Sequence, residues 1–262
     1  MDWSKTKSIF IAVFLILNIF LLIMFFNKDR ANQYVAMKEE PIEEKLKEYN
    51  IEYKELPNDV TKAAIITAKP KKFSKKEFEK LNDQQIQLSD SQMIVSSKLQ
   101  KPVPLGEDKV NDLRSFVNNH VVHGEEYRYW GMDEKKKKAI FYQHVDNKKL
   151  FENTNGRLEI LLNDNGEITM YKQTLLGQVE ENDQKETIIQ AFQVIQNLYK
   201  NGLIKQNSEI SDIELGYYTV VKVTEAQVLS PTWYFEIKNN GKVEQVYVNA
   251  LDGTIYKNET GA

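Results

Sequence analysis

The longest run of apolar residues lies near the amino terminus, at residues 9–26, and reads IFIAVFLILNIFLLIMFF. It contains no charged residue, and its one polar side chain is Asn18. As a helix it would be roughly 27 Å long, close to the roughly 30 Å of hydrocarbon in a bilayer. The pattern therefore predicts a transmembrane helix over residues 9–26, preceded by a cytoplasmic tail (1–8) and followed by a connector (27–40).

Two other interpretations of this segment are weaker. A cleaved signal peptide has an apolar core of about 7–15 residues and a small-x-small cleavage site, and the sequence FFNK offers no such site. A buried helix of a soluble domain would carry a polar stripe, whereas this segment is apolar on all sides. Two basic residues precede the segment and two follow it, so the amino-terminal charge and the short tail favour a cytoplasmic N-terminus. We expect a cell-membrane location, with the C-terminal domain outside the cell.

From residue 41 to 105 the chain shows short amphipathic segments, which predict an N-terminal α/β portion. PIEEKLKEYN is typical of a short helix, and IEYKEL, AAIITA and SQMIVSSKLQ are typical of strands. A second short helix is expected after Ser74, because Glu77 three residues later completes a capping box. Phe73 and Phe78 would then pack together across the start of that helix.

A helix followed by strands is predicted from Gly106 onwards. Apolar residues recur at helical spacing in EDKVNDLRSFVNNHV and predict one buried face. That face consists of Val110, Leu113, Phe116 and Val117. Strands are expected in EYRYWGM, AIFYQHV, RLEILLN and EITMYKQTL. The segment NDNGE between the last two predicts a hairpin with a type I′ turn, because Asn-Gly accepts positive φ.

The same order is predicted a second time. Asp183 and Glu186 form a capping box at the start of a helix, and Gly202 would end it. The predicted buried stripe of this helix consists of Ile188, Ala191, Phe192, Ile195, Leu198 and Tyr199. Strands are expected in SDIELGYYTVVKV, TWYFEIK, KVEQVYVNA and GTIYKN.

The two series also end in similar sequences. Residues 160–172 and 246–257 each contain a strand, an Asn, a turn with Gly and a strand that ends in Tyr-Lys. We therefore predict an α+β fold in which a single N-terminal transmembrane helix precedes an ectodomain of antiparallel sheets, each packed against a helix. The ectodomain would contain two similar units, at residues 106–177 and 178–262.

Charge and composition exclude several classes of partner and site. The chain has a net charge of −3, and residues 1–30 contain four basic and two acidic residues, so the rest carries −5. A mildly acidic ectodomain argues against binding to nucleic acid or to an anionic lipid surface. The absence of cysteine excludes disulfides and thiolate metal sites.

Few residues form a pattern that indicates catalysis or metal binding. His120 and His123 could bind a metal at a helix end, but no HExxH-type spacing supplies further ligands, and we interpret them and His144 as surface or hairpin residues. Residues 163–167 lack the bidentate Glu of a calcium loop and are interpreted as a hairpin turn. The basic run 135–138 and the paired glutamates are typical of solvated surfaces. We therefore predict no enzyme activity, no cofactor and no metal.

Asn18 is the one candidate site residue. An amide in hydrocarbon needs a hydrogen-bond partner, and such bonds between transmembrane helices contribute roughly 0.6–2 kcal/mol. The alternative is that a single-pass helix simply tolerates a lone Asn. Ala12 is the one small residue of the segment, so no small-xxx-small pattern favours close approach of two backbones. We assign Asn18 to partner binding within the membrane.

The opening sequence MDWSKTKSIFIAVFLILNIFLL resembles the start of the YycI family of Gram-positive bacteria. The order Asp2-Trp3-Ser4-Lys5, followed directly by an apolar helix with a central Asn, carries the resemblance. The length, the single anchor and the ending YVNALDGTIY extend it along the whole chain. The last unit also resembles PepSY-type modules, in which a strand with Trp (here Trp233) precedes a strand pair like Tyr247 to Gly253.

The resemblance implies a non-enzymatic accessory protein of the two-component system that controls cell-wall metabolism. It also implies two partners, a YycH-type membrane protein and the sensor histidine kinase YycG or WalK, contacted through transmembrane helices and ectodomains. Two other classes remain open. An extracytoplasmic ligand-binding or protease-inhibitory PepSY-like module would be favoured by an apolar groove between the two units. A wall-active hydrolase is the other, and the missing acid/base set argues against it.

Overall fold

The computed structural model describes most of the chain outside the amino-terminal segment. The described residues are 7, 11, 13–22, 42–57, 60–81, 83–222 and 226–256. Residues 13–22 form a helix (α1), and the rest of the predicted segment 9–26, apart from residue 11, lies outside the described residues, as does the connector 27–40. None of the helices in the described ranges is both long and apolar enough to cross a membrane.

Three further α-helices and two 3₁₀ helices occur in the described part of the chain. The α-helices are α2 (Ile42–Glu48), α3 (Lys109–His120) and α4 (Ala191–Lys200), and the 3₁₀ helices are Lys75–Phe78 and Gly124–Glu126. The predicted helix after residue 41 is thereby confirmed. The chain divides into two compact units between Asn50 and Ile51, so α1 and α2 belong to the first unit and all strands to the second.

Strands dominate the second unit. They are β1 (Glu52–Tyr53), β2 (Lys62–Ala63), β3 (Ile66–Pro70), β4 (Gln84–Leu88), β5 (Val95–Val103), β6 (Tyr127–Asp133), β7 (Lys138–Val145), β8 (Lys148–Phe151), β9 (Arg157–Leu162), β10 (Ile168–Gln173), β11 (Leu176–Glu181), β12 (Glu186–Thr187), β13 (Glu209–Lys222), β14 (Gln227–Asn239), β15 (Lys242–Asn249) and β16 (Ile255–Tyr256). Among the described residues, fourteen strands form one hydrogen-bonded sheet, and β2 and β12 form a separate pair. The fold is a sheet-dominated α+β fold, as predicted.

The same succession of elements occurs twice in this unit. After α3, strands β6, β7, β9 and β10 pair in that order and are all antiparallel; we call this set the first meander. After α4, strands β13, β14, β15 and β16 pair in the same antiparallel manner; we call this set the second meander. Strand β11 (Leu176–Glu181) crosses the predicted boundary between residues 177 and 178.

The two meanders are joined by short parallel pairing and by aromatic packing. Strand β8 pairs with β7 and also runs parallel to β13, with Leu150 opposite Tyr217. Beside this junction Phe151, Tyr234 and Tyr247 form a buried cluster. Their rings lie 5.4–5.6 Å from one another. The PepSY-like alternative would have been favoured by an apolar groove between the two predicted units. At this junction packed aromatic side chains are found instead.

Helix α3 matches its prediction except at Val110, which is half-buried. Leu113, Phe116 and Val117 are buried in the core cluster of the first meander. Asp108 precedes the helix, and its carboxylate accepts the N–H of Asn111 at 3.1 Å, which satisfies one of the free donors of the first turn. The helical spacing of the apolar residues therefore identified the side that faces the sheet.

Helix α4 begins later than predicted. Glu186 and Thr187 lie in β12 and pair with Ala63 and Lys62, so the capping box of Asp183 and Glu186 was wrong. The backbone N–H of Gln190 instead donates to the Gln193 side-chain oxygen at 3.1 Å. The local pattern at Glu186 favours a helix start, but strand pairing with the distant β2 places this residue in a strand.

The buried face of α4 also differs from the predicted stripe. It consists of Ala191, Val194, Ile195 and Leu198. Phe192 lies about 100° to one side of Ala191 on the helix and is half-buried, as is Tyr199, so their predicted places in the buried stripe were wrong. Its ring centroid lies 6.2 Å from that of Tyr53. The predicted end at Gly202 is confirmed, because Gly202 has a φ of +70° and its N–H donates to the Tyr199 carbonyl.

The short helix after Ser74 is confirmed as a 3₁₀ helix. The backbone N–H of Ser74 donates to Glu77 Oε1 at 2.8 Å, as a capping box requires. The rings of Phe73 and Phe78 lie 5.9 Å apart, and both are buried. The predicted hydrophobic contact across the helix start is therefore present.

The predicted hairpin between β9 and β10 is confirmed, but its turn is not of type I′. In that loop only Gly166 has positive φ (+78°), whereas a type I′ turn needs positive φ at both central residues. The Asn163 side-chain oxygen accepts the N–H groups of Asn165 and Glu167, at 3.0 and 2.9 Å. This side chain stabilises the turn in place of the expected backbone geometry.

Candidate partner-binding site

Asn18 lies on α1, and its side chain is bonded within the helix. The side-chain Nδ2 donates to the backbone carbonyl of Phe14, one turn earlier, at 2.9 Å. The residue is exposed. An Asn amide has two donor hydrogens and one acceptor oxygen, so the helix itself uses one donor. One Nδ2–H donor and the acceptor oxygen Oδ1 are therefore left for a partner.

Asn18 is part of a shallow hollow on one side of the helix. The hollow is about 470 Å³ and is lined by Ile11, Phe14, Leu15 and Asn18. These positions follow the spacing i, i+3, i+4, i+7, which is the set of four residues that forms a hole for a side chain of a facing helix. The three apolar side chains are each more than half exposed. The arrangement can accept an apolar side chain of another helix beside one hydrogen bond.

His123 is surrounded by carboxylates that the sequence did not place near it. Its Nε2 lies 3.4 Å from Glu77 Oε2, and its Nδ1 lies 3.2 Å from Glu126 Oε1. Glu77 also pairs with Lys71 at 3.1 Å. Burial raises the pKa of the Glu77 carboxyl, but hydrogen bonds from the Ser74 N–H, Lys71 and His123 outweigh it and hold that pKa below its ordinary value. The network ties the segment after α3 to the 3₁₀ helix at Lys75–Phe78.

The same corner has a possible ligand set for a metal. His123, Glu125 and Glu126 offer ligand atoms that all lie within 4.8 Å of one another. The positive φ of His123 (+59°) turns the chain so that these neighbours face one way, a backbone conformation that the sequence pattern did not indicate. Both ring nitrogens of His123 are within ion-pair distance of carboxylates, Glu77 at Nε2 and Glu126 at Nδ1, so two members of this set already pair with each other.

The other two histidines lie at different places. The ring of His120 stacks on Phe116 with centroids 5.1 Å apart, and its Nδ1 lies 3.6 Å from Asp83. The Nδ1 of His144 lies 2.6 Å from the backbone carbonyl of Glu126. His120 and His123 therefore contact different carboxylates rather than one shared site.

The basic run 135–138 is paired with acidic side chains. Lys138 Nζ lies 2.8 Å from Glu159, Lys136 pairs with Asp133, and Lys137 pairs with Asp164. These contacts agree with the interpretation of this run as a solvated loop, because its charge is offset locally.

Comparison with known families decides the identity of the chain. The family model described as "YycI protein" matches residues 31–251, which is most of the sequence. The chain belongs to the YycI family. The resemblance that rested on the first residues is thereby confirmed by a match to the region after them. None of the curated proteins compared with the chain matches it.

Three solved structures are similar to this YycI-family chain at low identity. An uncharacterized protein from Eubacterium rectale shares 12% identity with this chain. The match covers 76% of this chain and 86% of the E. rectale protein, with a TM-score of 0.44. YycH from Bacillus subtilis shares 16% identity. The match covers 72% of this chain and 53% of the YycH chain, with a TM-score of 0.38. The C-terminal domain of YpeB from Bacillus megaterium shares 10% identity. The match covers 73% of this chain and 88% of the YpeB domain, with a TM-score of 0.41.

Family membership supports a regulatory accessory role in the YycFG two-component system. The YycI family is a regulatory family and not a known enzyme family. Regulation of this kind works through contacts with other proteins, and the hollow on α1 is the candidate surface for such a contact.

Proposed function

We propose that this protein is a single-pass membrane protein that, together with a YycH-type partner, modulates the sensor histidine kinase YycG/WalK and so controls cell-wall metabolism. The observation that carries the proposal is the hollow formed by Ile11, Phe14, Leu15 and Asn18. Its four-residue geometry suits a facing helix, and its apolar exposure suits a segment surrounded by lipid and helices. In this proposal the facing helix is a transmembrane helix of the kinase or of the YycH-type partner.

Such a modulator must bind one signalling state of the kinase better than another, because equal affinity for both states shifts nothing. A difference of about 1.4 kcal/mol changes the ratio of the two states tenfold. One interhelical hydrogen bond made by the Asn18 side-chain amide, at roughly 0.6–2 kcal/mol, is of that size. A single side chain can therefore decide which kinase state the protein favours.

The proposal includes a cytoplasmic N-terminus and a C-terminal domain outside the cell. A reporter fused after Ala262 is expected to be active only outside the cell, and the mature protein is expected to begin near Met1. A mature N-terminus that follows residue 26 would show a cleaved leader and contradict the anchor.

The decisive experiment is photocrosslinking in membranes with a matched pair of positions. Phe14 lies in the hollow, whereas Phe20 lies on the opposite side of the same helix at 100° per residue. A photoreactive phenylalanine derivative replaces each in the full chain, so that both changes are equally conservative. We expect Phe14 to capture the kinase or the YycH-type protein much more efficiently than Phe20 does.

Asn18→Leu then tests the hydrogen bond. We expect it to reduce the Phe14 crosslink and to change the kinase-dependent gene expression while membrane insertion persists, because Leu inserts more readily than Asn. Equal capture from Phe14 and Phe20, together with wild-type signalling by Asn18→Leu, would place the contacts in the ectodomain and overturn the proposed role of α1.

A further inference from the structure

A second concave surface lies on the strand-rich unit, along α3, β6 and β8. It has a volume of about 520 Å³, and its polar lining side chains come from Arg114 and Asn118 on α3, Arg128 and Tyr129 on β6, and Lys149 on β8. We call it the arginine groove. Buried apolar residues form its floor. The groove combines three positively charged side chains with two neutral donors, and no carboxylate belongs to its lining.

The guanidinium of Arg128 is held in place without being neutralised. Its Nη1 donates to the backbone carbonyls of Glu125 and Tyr127, at 2.9 and 3.2 Å. Carbonyl oxygens fix the orientation of the group but leave its full charge, and the remaining N–H groups are left for another acceptor. A charged fork that is oriented before binding loses little conformational freedom when an anion arrives.

Arg114 adds a second guanidinium. Its Nη1 lies 3.5 Å from the Asn111 side-chain oxygen, a neutral group. Across the part of the chain that the structure describes, neither Arg114 nor Arg128 forms an ion pair with a carboxylate. Lys149 differs, because its Nζ is bonded to Glu214 at 2.7 Å and lies over the ring of Trp130. Among the three cations of the groove, the two arginines are therefore the ones without an ion pair in the described ranges.

Tyr129 contributes a hydroxyl that stays protonated. Burial and the nearby Glu134 raise the pKa of this hydroxyl, while Arg114 partly opposes them. At neutral pH the group is a hydrogen-bond donor. The net charge of the chain is −3, so a groove with two unpaired guanidiniums departs from the general surface.

We propose that the arginine groove binds a phosphate group, either free or esterified. Arginine forks match the oxygens of phosphate in a bidentate manner. A carboxylate has two oxygens in one plane and is filled by one fork, whereas a phosphate offers three or more oxygens to two forks, a hydroxyl and the amide of Asn118. This inference is independent of the membrane anchor and of the kinase contacts, since all the groups that it uses belong to the strand-rich unit.

The test is titration calorimetry on the full chain in a neutral detergent. Inorganic phosphate and glycerol 3-phosphate are the probes for free and monoester phosphate, and short-chain dihexanoyl phosphatidylglycerol is the probe for a lipid headgroup. Arg114→Gln and Arg128→Gln are each expected to weaken binding about tenfold or more, the loss expected for hydrogen bonds to a charged group. Arg128→Lys keeps the charge without the fork and should fall between the wild type and Arg128→Gln.

Lys109→Gln is the matched control, because it removes one positive charge from an exposed position of the same helix outside the groove. It should leave binding within about twofold. Circular dichroism checks that each variant is folded. Arginine-dependent binding of phosphate or glycerol 3-phosphate supports a site for soluble phosphate, and arginine-dependent binding of the lipid alone supports a site for a headgroup. The proposal is overturned if no probe binds up to about 10 mM, or if the arginine variants bind like Lys109→Gln.

Discussion

The last hairpins of the two meanders have the same local design but different surroundings. In the first, Asn163 Oδ1 accepts the N–H of Asn165 and Gly166 has a φ of +78°; in the second, Asn249 Oδ1 accepts the N–H of Leu251 and Gly253 has a φ of +77°. The turn at Asn163 lies at the surface. Asn249 is 8% exposed and also bonds to Ser230 and Tyr256.

The buried turn is connected to the start of α4. The N–H of Ile189 donates to the Ala250 carbonyl at 2.7 Å, and the indole N–H of Trp233 donates to the Ile189 carbonyl, also at 2.7 Å. The other helix, α3, is held at its opposite end, where His123 pairs with Glu77 of the 3₁₀ helix Lys75–Phe78 and Gln173 Nε2 donates to the Val122 carbonyl at 2.6 Å. The end of α3 therefore combines an ion pair with neutral hydrogen bonds, whereas the two bonds at the start of α4 are neutral, so the pH dependence of stability should differ between the two places.

The largest expected difference concerns the phenylalanine on each helix. Phe116 of α3 is 4% exposed and contacts Tyr171, whereas Phe192 of α4 is half-buried. Phe116→Ala should lower the free energy of unfolding by about 3–5 kcal/mol. Phe192→Ala should lower it by about 1–2 kcal/mol, because less apolar surface is buried. Denaturant unfolding of the two variants measures both, and equal losses would show that the helices are packed alike.

The second difference concerns the two turn asparagines. Asn249→Ala should cost about 2–3 kcal/mol of unfolding free energy, because it leaves the buried Ser230 hydroxyl without this hydrogen-bond partner and removes the bonds to the half-buried Leu251 and Tyr256. Asn163→Ala removes similar local bonds at the surface and should cost about 0.5–1.5 kcal/mol, since water can replace them. Thermal or denaturant unfolding provides the comparison. A cost at Asn163 as large as that at Asn249 would mean that the local turn, and not its burial, carries the energy.

The smallest expected effect is the pH dependence of the ion-paired corner. The pKa of Glu77 is lower in the folded protein than in the unfolded chain, so its contribution to stability is present above the unfolded pKa and is lost as pH falls through the folded pKa. Glu77→Gln should therefore be less stable than wild type at pH 7 by less than about 1 kcal/mol. The difference should shrink from about pH 5 downwards.

Glu79→Gln removes the charge of an exposed neighbour and is the control at pH 7, where its stability should lie within about 0.5 kcal/mol of the wild type. A Glu77→Gln variant whose stability deficit is unchanged at pH 3 would exclude the charge of this carboxyl as the cause and indicate lost packing instead.

Several features were predictable because they depend on residues within one or two turns of each other. The buried face of α3, the capping of Glu77 onto Ser74, the contact of Phe73 with Phe78 and the end of α4 at Gly202 all belong to this class. The spacing of Ile11, Phe14, Leu15 and Asn18 on one helical face is likewise a property of the sequence, and so is the resemblance that pointed to the YycI family.

Other features were decided by contacts between residues far apart in the chain. Pairing with β2 placed Glu186 and Thr187 in a strand and moved the start of α4, and β8 joined the two meanders by parallel pairing with β13. The arginine groove belongs here too, because Arg114 and Arg128 meet only when α3 lies along β6. Local spacing specifies which face of an element is apolar. Only the assembled sheet determines which distant element covers that face and which charged side chains come to lie together.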